Sequence, residues 1–458
     1  MDQVVTHLPS SRSGKIAQAI RYLILISLVV NVTQSFAQTI PVGSIGLEDY
    51  YRRAQLLGEV DPAVSFTIRP VSPTQSFGRK DIFYPDSLVQ RRNFLGIEPM
   101  RINSSKIKTV ILPFSFQAQT NTHHAYGWND GAMIPAKGLQ SVVSAGLYAE
   151  WGPISLQLRP ELVNASNSEF ETFDKDHYDI IFARYYDYYN RIDAPVRFGT
   201  KAFSKLYLGQ SSLKVNYKGF SAGFSSENLW WGPGMRNALL MTNTAPGFNH
   251  LTINTDRPFK TAIGAFEGQL VAGRLDGSGF GVLEPEKDYI DGPLYFPKRD
   301  DWRLFSGMVL SWNPKWVPGL FVGLSRSKQM YSDDITGAGD YFPFFSTVKK
   351  ADADAGLEKK DIRSSLFLRW VWPEEQAEIY GEFGRDNVVR SARQAALQPD
   401  RGRAYVVGVR KIVNLSGGRG HKLMVHIEAT QLQQTQVDDV LGAKSWYVNS
   451  YVRHGYTN

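Results

Sequence analysis

The sequence predicts an all-β transmembrane barrel of antiparallel strands with a short helical segment ahead of it. Three observations lead to this fold class. The chain begins with an export signal, it contains no later apolar run long enough for a membrane helix, and short stretches of alternating apolar and polar residues recur along it. The 458 residues include no cysteine, which excludes disulfides, thiol chemistry and cysteine-bound zinc.

The first 37 residues show the three parts of a secretory signal peptide. Arg12, Lys15 and Arg21 precede the apolar run "YLILISLVVNV", and the small-residue pattern "SFA" ends at Ala37. This order is that of a charged region, an apolar region and a cleavage site. We therefore expect residues 1–37 to be removed near Ala37 and the mature chain to reach the outer membrane of a Gram-negative bacterium.

Residues 38–105 are predicted to form a periplasmic, partly helical and partly irregular segment. The stretch "LEDYYRRAQLLGEV" (Leu47–Val60) has the spacing of a short amphipathic helix. Its apolar side is expected to carry Leu47, Tyr50 or Tyr51, Ala54 and Leu57. Because the helix precedes the first strand, it belongs at the periplasmic mouth of the barrel, either as a plug or as a tether.

Residues 106–458 are predicted to form the barrel itself. In "GPISLQLRPEL" the residues Ile154, Leu156 and Leu158 share one face while polar residues occupy the other, and comparable segments repeat, as in transmembrane β-strands. About 14 strands follow from this pattern. They are Ile107–Thr120, Leu139–Trp151, Ile154–Asn164, Lys205–Tyr217, Phe220–Asn228, His250–Thr255, Lys260–Leu275, Trp302–Asn313, Leu320–Met330, Ile362–Trp372, Ala377–Arg385, Ala404–Val413, Lys422–Gln431 and Trp446–His454.

The links between these strands alternate in length. Short links such as "GP" at 152 and "KG" at 218 alternate with long ones such as 165–204 and 229–249. Short periplasmic turns and long extracellular loops are typical of outer-membrane barrels, and aromatic residues at many strand ends fit the interfacial girdles. The bounds of the strand predicted at His250–Thr255 are set so that short and long links continue to alternate.

Four stretches carry a resemblance to a known family. They are "NDGAMIPAKGLQ" (Asn129 to Gln140), "SENLWWGPGMRNALLMTNTAPGFNHLTINTDRP" (Ser226 to Pro258), "FEGQLVAGRL" (Phe266 to Leu275) and "WYVNSYVRHGYTN" (Trp446 to Asn458). From about residue 45 to its end, the chain resembles the capsule assembly protein Wzi family. The resemblance implies an outer-membrane barrel of about 18 strands with an N-terminal periplasmic helical part. It also implies a lectin-like protein that attaches or organises capsular polysaccharide at the cell surface.

The difference between about 14 and about 18 strands leads to an expectation about the chain. Unpaired strand edges in a bilayer cost several kcal/mol for each unsatisfied group, and the last residue is Asn458 rather than an aromatic residue. We therefore expect the chain to be truncated at its C-terminus by roughly 60–100 residues. The strands at Ile107–Thr120 and Trp446–His454 would then face a gap.

The segment "WWGPGMRNALLMTNTAPGF" (Trp230–Phe248) is predicted to be an extracellular loop that partly occludes the lumen. Sugars stack their C–H faces on Trp and Tyr rings, and their hydroxyls bind amides, carboxylates and guanidinium groups. The candidate polysaccharide-binding residues are Trp230, Trp231, Arg236, Asn237, Asn243, Asn249, Asn129, Asp130, Tyr185 and Tyr186. The alternative is that the two tryptophans pack against the barrel wall, as buried aromatic residues usually do.

No set of residues in the sequence indicates an enzyme, a cofactor or a metal site. "GFSAG" matches a nucleophile pattern, but Ser221 lies in a predicted strand rather than at a strand-to-helix turn. "DADAG" (Asp352 to Gly356) lacks the third acid and the late glutamate of a calcium loop. "YGEFGRD" predicts an ion network at the barrel rim, or a ligand site, formed by Glu382, Arg385 and Asp386.

Two other functions are compatible with a barrel. An outer-membrane porin or other transporter would have an open lumen lined by opposed charges, and an outer-membrane hydrolase would bring a serine, a histidine and an acid together at the rim. The expected partners are capsular polysaccharide, outer-membrane lipid and the barrel-insertion machinery, with a monomeric protein. The net charge of +7 includes no Lys/Arg run, so no nucleic-acid partner is expected.

Overall fold

The computed structural model describes most of the chain after the predicted signal peptide. The described residues are 39–72, 101–103, 107–174, 176–290, 292–344, 359–386, 402–415, 421–432, 446–449 and 451–454. The predicted signal peptide (1–37) and the stretch Asp352–Gly356 lie outside them. Within these ranges, no helix is both long enough and apolar enough to cross a membrane.

The described elements are mostly antiparallel strands, which form a β-barrel. The described residues include two α-helices, α1 (Ile45–Leu56) and α2 (Asp179–Arg191). The strands are β1 (Ile68–Arg69), β2 (Arg101–Asn103), β3 (Ile107–Tyr126), β4 (Ala136–Trp151), β5 (Ile154–Leu158), β6 (Glu161–Ala165), β7 (Phe203–Tyr207), β8 (Ser212–Tyr217), β9 (Phe220–Ser225), β10 (Trp230–Trp231), β11 (His250–Thr255), β12 (Phe259–Thr261), β13 (Gly264–Leu275), β14 (Asp288–Tyr289), β15 (Gly292–Pro293), β16 (Arg303–Pro314), β17 (Leu320–Tyr331), β18 (Asp361–Trp372), β19 (Ala377–Asp386), β20 (Arg403–Asn414) and β21 (Lys422–Leu432).

The wall of the barrel is built by pairing strands that are near neighbours in the chain. The ladder runs from β2 and β3 through β4, β9, β11 and β13 to β16 and on to β21, with all registers antiparallel. Between β4 and β9, two wall strands are each broken into halves. Strand β4 pairs with both β5 and β6. Strand β5 then pairs with β8, and β6 pairs with β7. One break falls at Pro160, which has no backbone N–H to donate to a ladder.

The two ends of the barrel differ in their connections. Tight links at Gly152, Lys218 and 373–376 lie at one end, here called the short-turn end. The opposite end, here called the long-loop end, carries the 127–135 link between β3 and β4 and the long segment that contains α2. The predicted alternation of short and long links is therefore present in the described residues.

The predicted strands agree with the wall except at one place. Each predicted strand from Ile107–Thr120 to Lys422–Gln431 falls on wall strands, and His250–Thr255 has the predicted bounds. The strand predicted at Trp446–His454 is wrong. Its described residues form turns and irregular structure inside the barrel, where Trp446 Nε1 donates a hydrogen bond to the Leu239 carbonyl at 3.0 Å. Because Trp446–His454 is not a strand, it does not form the second edge of the predicted gap beside Ile107–Thr120. The truncation expected at the C-terminus stays a prediction.

The wall strands have an apolar outer face and a polar inner face. On β18, Leu366 and Leu368 point outward and are 62% and 38% exposed, whereas Arg363 and Arg369 point inward and are fully buried. This arrangement is the one expected when the outside of a barrel contacts lipid and the inside is polar. Buried arginines inside the barrel need partners, and other segments of the chain supply them.

Helix α1 lies inside the barrel at the short-turn end, so it forms a plug rather than a tether. Its Leu56 packs on the inner wall with Phe321, Val371 and Ile412. Its Tyr51 packs with residues of the segment that follows it in the chain, including Val60, Val64 and Phe66. Of the predicted apolar side, Tyr51 and Ala54 are buried and Leu47 and Leu57 are half-buried. The polar residues Arg52 and Gln55 of the helix are also buried.

A buried ionic cluster joins α1 to the wall next to the 373–376 turn. The carboxylate of Glu378 on β19 is fully buried and accepts hydrogen bonds from Arg52 of α1 at 2.8 Å, from Arg369 at 2.7 Å and from Arg410 at 3.1 Å. Arg410 also pairs with Asp49 of α1. One wall carboxylate therefore binds two wall arginines and one helix arginine, and Asp49 adds a second negative charge at Arg410.

The segment Trp230–Phe248 also packs inside the barrel, as predicted. Its β10 pairs with β1, with Ile68 opposite Trp231 and Arg69 opposite Trp230. Trp231 then packs against the inner wall in a cluster with Leu229, Val271, Leu275, Phe305, Val309 and Phe367. Residues 39–72 and 226–248 both pack on the inner wall of the barrel and are called the plug from here on.

Replacing the central carboxylate of the ionic cluster tests how α1 is held. Glu378→Gln leaves the buried Arg52 and Arg369 without this charge partner, while Arg410 keeps Asp49, so we expect the free energy of unfolding to fall by about 3 kcal/mol. Urea titration of the protein in lipid vesicles measures this change.

Glu375→Gln is the matched control, because Glu375 lies in the adjacent turn and its side chain is 76% exposed, 3.6 Å from Lys411. An exposed pair of this kind is worth roughly 0–1 kcal/mol. Equal effects of the two variants would show that the Glu378 cluster does not hold α1.

A small wall residue makes room for the plug. A Cβ added to Gly307 on β16 would lie 2.6 Å from the Trp231 ring. We expect Gly307→Ala to destabilise the protein by about 1–3 kcal/mol, since overpacking a close-packed interior forces neighbours to move. Gly339→Ala, where the added Cβ meets no atom within 4 Å, should be near neutral in the same thermal unfolding experiment. A neutral Gly307→Ala would mean that Trp231 is not seated against β16.

Candidate functional site

One carboxylate of the wall fixes the plug turn that follows Gly232-Pro233-Gly234. Glu428 on β21 accepts hydrogen bonds from the backbone N–H groups of Met235 at 2.8 Å, Arg236 at 3.0 Å and Asn237 at 2.8 Å. Its side chain is 3% exposed, and the Tyr380 hydroxyl donates to the same carboxylate at 2.6 Å. A buried carboxylate with four donors holds its neighbours in one arrangement, so this turn is rigid.

The turn places a guanidinium group beside an exposed aromatic ring at the long-loop end. The Arg236 guanidinium carbon lies 5.9 Å from the centre of the Trp128 ring, and Trp128 is 45% exposed. Asn129 Nδ2 donates to the Arg236 carbonyl at 2.6 Å, and Asn237 Nδ2 donates to Thr430 Oγ1 at 2.9 Å. An aromatic face, a cation and two amides therefore meet at one place.

Trp128, Asn129, Asn237 and Thr430 line a cavity of about 310 Å³ that the second half of the plug shares with the wall. The lining consists mainly of apolar side chains with a few amides and hydroxyls. The lining residues that bear on binding are Trp128, Asn129, Asn228, Asn237, Thr242, Thr244, Phe248, Thr430 and Tyr447. A concave apolar surface with a small number of fixed polar groups is the usual form of a small-ligand site.

The accessible charged group next to the cavity is the guanidinium group of Arg236. Arg236 is exposed and makes no ion pair with any residue in the described ranges. Burial raises the pKa of Asp130 above its usual value, against the hydrogen bonds from backbone groups that lower it. The Oδ1 atom of Asn129 is buried and has no hydrogen-bond partner among the described residues. The site thus offers exposed donors from Arg236.

Trp230 and Trp231 were predicted either to contact sugar or to pack, and the structure places both in the interior. They are 3% and 0% exposed. Trp230 Nε1 donates to the Gly234 carbonyl at 3.1 Å, and Trp231 Nε1 donates to Gln269 at 2.9 Å. Because both ring faces and both donors are already occupied, these tryptophans hold the plug together.

Two predicted asparagines lie apart from the Trp128 ring face. Asn243 is buried, and its Nδ2 donates to the Asn129 carbonyl at 3.0 Å while its own carbonyl accepts from Gly131 at 2.8 Å. It therefore fixes the loop that carries Trp128. Asn249 is exposed, and its carbonyl accepts from Arg274 at 3.0 Å.

Tyr185 and Tyr186 lie on α2, within a stretch that was predicted from the sequence to be a long loop. Tyr186 is 3% exposed and donates its hydroxyl to the Glu284 carbonyl at 2.8 Å. The Tyr185 ring stacks on Phe173 with the ring centres 4.3 Å apart. Both therefore pack α2 onto neighbouring loops and lie outside the cavity. The spacing of Phe182, Tyr185, Tyr186 and Tyr189 is the helical signal that the loop prediction missed.

The predicted rim network takes another form. Glu382 is 3% exposed inside the barrel, where it accepts hydrogen bonds from Ser365 Oγ at 2.6 Å and from the Leu239 N–H at 3.3 Å. It therefore binds the plug to the wall. Arg385 lies further along β19 and points to the other side of the strand. The Asp386 N–H donates to the Gly402 carbonyl at 2.8 Å.

Catalytic and metal sites find no support in the described ranges. Ser221 is a buried inner-face residue of β9, and its hydroxyl donates to Asp256 at 2.8 Å. This is a strand position, not the sharp turn of a nucleophile elbow. No group of three or more His, Asp or Glu side chains that could hold a metal occurs among the described residues.

Two residues that shape the site, Trp128 and Glu428, were not predicted from the sequence. Trp128 directly precedes the stretch "NDGAMIPAKGLQ", and its position between Gly127 and Asn129 is a turn signal that could have marked it as exposed. Glu428 gives no such signal, because it is one of many polar residues at inner-face positions of an alternating strand. Only the fold brings it within reach of residues 235–237.

Comparison with known proteins agrees with this fold. A sequence model of the capsule assembly protein Wzi family matches residues 116–458, whereas no curated protein matches the chain. The structure is similar to that of Wzi, an outer membrane protein involved in group 1 capsule assembly in Escherichia coli and described as a carbohydrate-binding β-barrel. That similarity has a TM-score of 0.51 at 11% identity and covers 91% of this chain and 76% of that chain. The family model spans most of the sequence, and the chain belongs to the capsule assembly protein Wzi family.

Proposed function

We propose that this protein lies in the outer membrane and binds capsular polysaccharide at its long-loop end, which would face outward, so that the polymer is held at the cell surface. One observation carries the proposal. The exposed ring of Trp128 lines a cavity of about 310 Å³, and the guanidinium group of Arg236 lies 5.9 Å from the centre of that ring. The apolar outer face of the barrel and the family membership support the location and the class of ligand.

The chemistry of the site matches that of a sugar. A pyranose ring has an apolar face that stacks on an aromatic ring, and hydroxyls at its edge that need donors and acceptors. Trp128 supplies the ring. Arg236 is exposed and supplies N–H donors. Glu428 holds the Arg236 backbone in place, so little ordering is needed when the ligand binds.

The filled lumen favours surface binding over transport. A diffusion porin needs an open lumen, whereas α1 and Trp231 both pack on the inner wall of the described barrel. The role proposed here is one of binding and requires no catalysis by the protein. Outward-facing loops seated on a rigid plug would suit a protein that retains a polymer rather than one that passes it through the membrane.

Removing the aromatic face of the site should weaken binding. We expect Trp128→Ala to raise the Kd for a capsular oligosaccharide about fivefold, because an aromatic stacking contact is worth about 1 kcal/mol. Arg236→Gln should also raise Kd, more strongly at low salt if the sugar is acidic. Isothermal titration of the purified protein with capsule oligosaccharide measures both effects.

Trp316→Ala provides a matched control. Trp316 is 67% exposed and follows β16 at the short-turn end, far from the cavity along the barrel axis. The Trp316→Ala substitution removes the same kind of side chain and should leave the Kd unchanged. Both variants should keep the unfolding temperature of the parent protein. If Trp128→Ala binds the oligosaccharide as tightly as Trp316→Ala does, the proposed site is wrong.

A further inference from the structure

A second cavity lies at the short-turn end, away from the proposed polysaccharide site. It has a volume of about 420 Å³ and is lined by Asp61, Lys218, Gly219, Arg257, Pro258, Phe259 and Lys260. Two tight wall turns supply most of this lining, one between β8 and β9 and the other between β11 and β12. The plug contributes Asp61. The cavity thus sits at the rim of the barrel.

Hydrogen bonds fix the two turns relative to each other. The Asp256 N–H donates to the Gly219 carbonyl at 2.8 Å, and the Ser221 hydroxyl donates to the Asp256 carboxylate at 2.8 Å. Gly219 has a φ of +90°, and a Cβ there would lie 2.8 Å from Arg257 Nε. Only glycine therefore allows the arginine side chain to lie over this turn.

The cavity carries an excess of positive charge. Lys218, Arg257 and Lys260 are exposed cations, and Asp61 is the only acid in the lining. In the described part of the chain, none of the three cations forms a salt bridge, although the Lys218 ammonium lies 5.2 Å from the Tyr217 ring centre. Three like charges around one concave surface create a potential that attracts an anion.

An apolar surface begins next to these cations on the outside of the barrel. The Phe220 and Phe259 rings lie 5.4 Å apart and are 41% and 48% exposed. Along the same wall strands, outward-facing apolar side chains continue away from the rim. They are Leu213, Val215, Phe224, Leu251 and Ile253, each between 43% and 65% exposed. A ligand that fits both surfaces has an anionic head and an apolar tail.

We propose that this cavity binds the phosphate headgroup of an anionic glycerophospholipid from the periplasmic leaflet, with its acyl chains along the apolar surface. Lys218, Arg257 and Lys260 contact the phosphate oxygens as charge-assisted donors. Phe220 and Phe259 lie at the level where aromatic side chains meet the headgroup region. The lipid would fix the depth of this rim in the bilayer, independently of any sugar bound at the opposite end.

Native mass spectrometry of the full-length mature protein tests the proposal. Phosphatidylglycerol and phosphatidylcholine are added in equal amounts, and the bound lipid is counted after detergent removal. We expect phosphatidylglycerol to be retained preferentially. The triple variant Lys218→Gln, Arg257→Gln and Lys260→Gln should retain about tenfold less of it, because each cation near an anionic lipid surface contributes measurably to binding.

The matched control changes three other cations of the short-turn end, as Lys315→Gln, Lys411→Gln and Lys422→Gln. It makes the same change in net charge outside the cavity and should retain the lipid like the parent. The single variant Arg257→Gln is measured in parallel, with heat-shifted gel migration as the test of folding, and should lose part of the retention. Equal loss in the triple variant and the control would show general charge attraction and overturn the proposed site.

A competition experiment separates the lipid from a soluble anion. Inorganic phosphate, or a soluble acidic glycan, is added at the same concentration as phosphatidylglycerol. The proposal requires that neither displaces the lipid, since both lack the apolar chains. Displacement by either one, or equal retention of phosphatidylcholine, would contradict a phospholipid site.

Discussion

The carboxylate of Glu378 is the group on which the interior of this barrel depends. Three arginines, two from the wall and one from α1, converge on it where no water-exposed surface can solvate their charge. Burying unpaired charges is strongly unfavourable, and α1 contributes to this cluster both Arg52, which binds Glu378, and Asp49, which binds Arg410. The helix is therefore held inside the barrel by these ion pairs together with the packing of Leu56.

The position of α1 determines the rest of the plug. The chain that follows the helix brings Ile68 beside Trp231 in the pairing of β1 with β10. That pairing seats Trp231 against Gly307 and leaves residues 235–237 within reach of Glu428. The exposed pair of Trp128 and Arg236 is thus the outer surface of a structure that is fixed at the opposite end of the lumen.

Alternation of apolar and polar residues was enough to predict the wall, because lipid on one side and a polar lumen on the other impose a period of two. The same rule failed at Trp446–His454, where aromatic residues pack on the plug instead of lipid. It also could not assign α1 to the lumen, since an amphipathic helix has the same pattern as plug or tether. The candidate site was predicted only in part: Arg236 and Asn129 belong to it, whereas Trp230 is buried. Contacts between distant segments decide these positions, and sequence spacing does not record them.

The central claim is that a capsular sugar binds at the outer surface of a fixed plug. A structure of the protein with a bound capsular oligosaccharide tests it most directly. The account predicts a sugar ring stacked on Trp128 and within hydrogen-bond distance of the Arg236 guanidinium group, with the plug unchanged. An oligosaccharide bound inside the lumen below Trp231, with residues 226–248 displaced, would contradict the account and indicate a path for the polymer through the barrel.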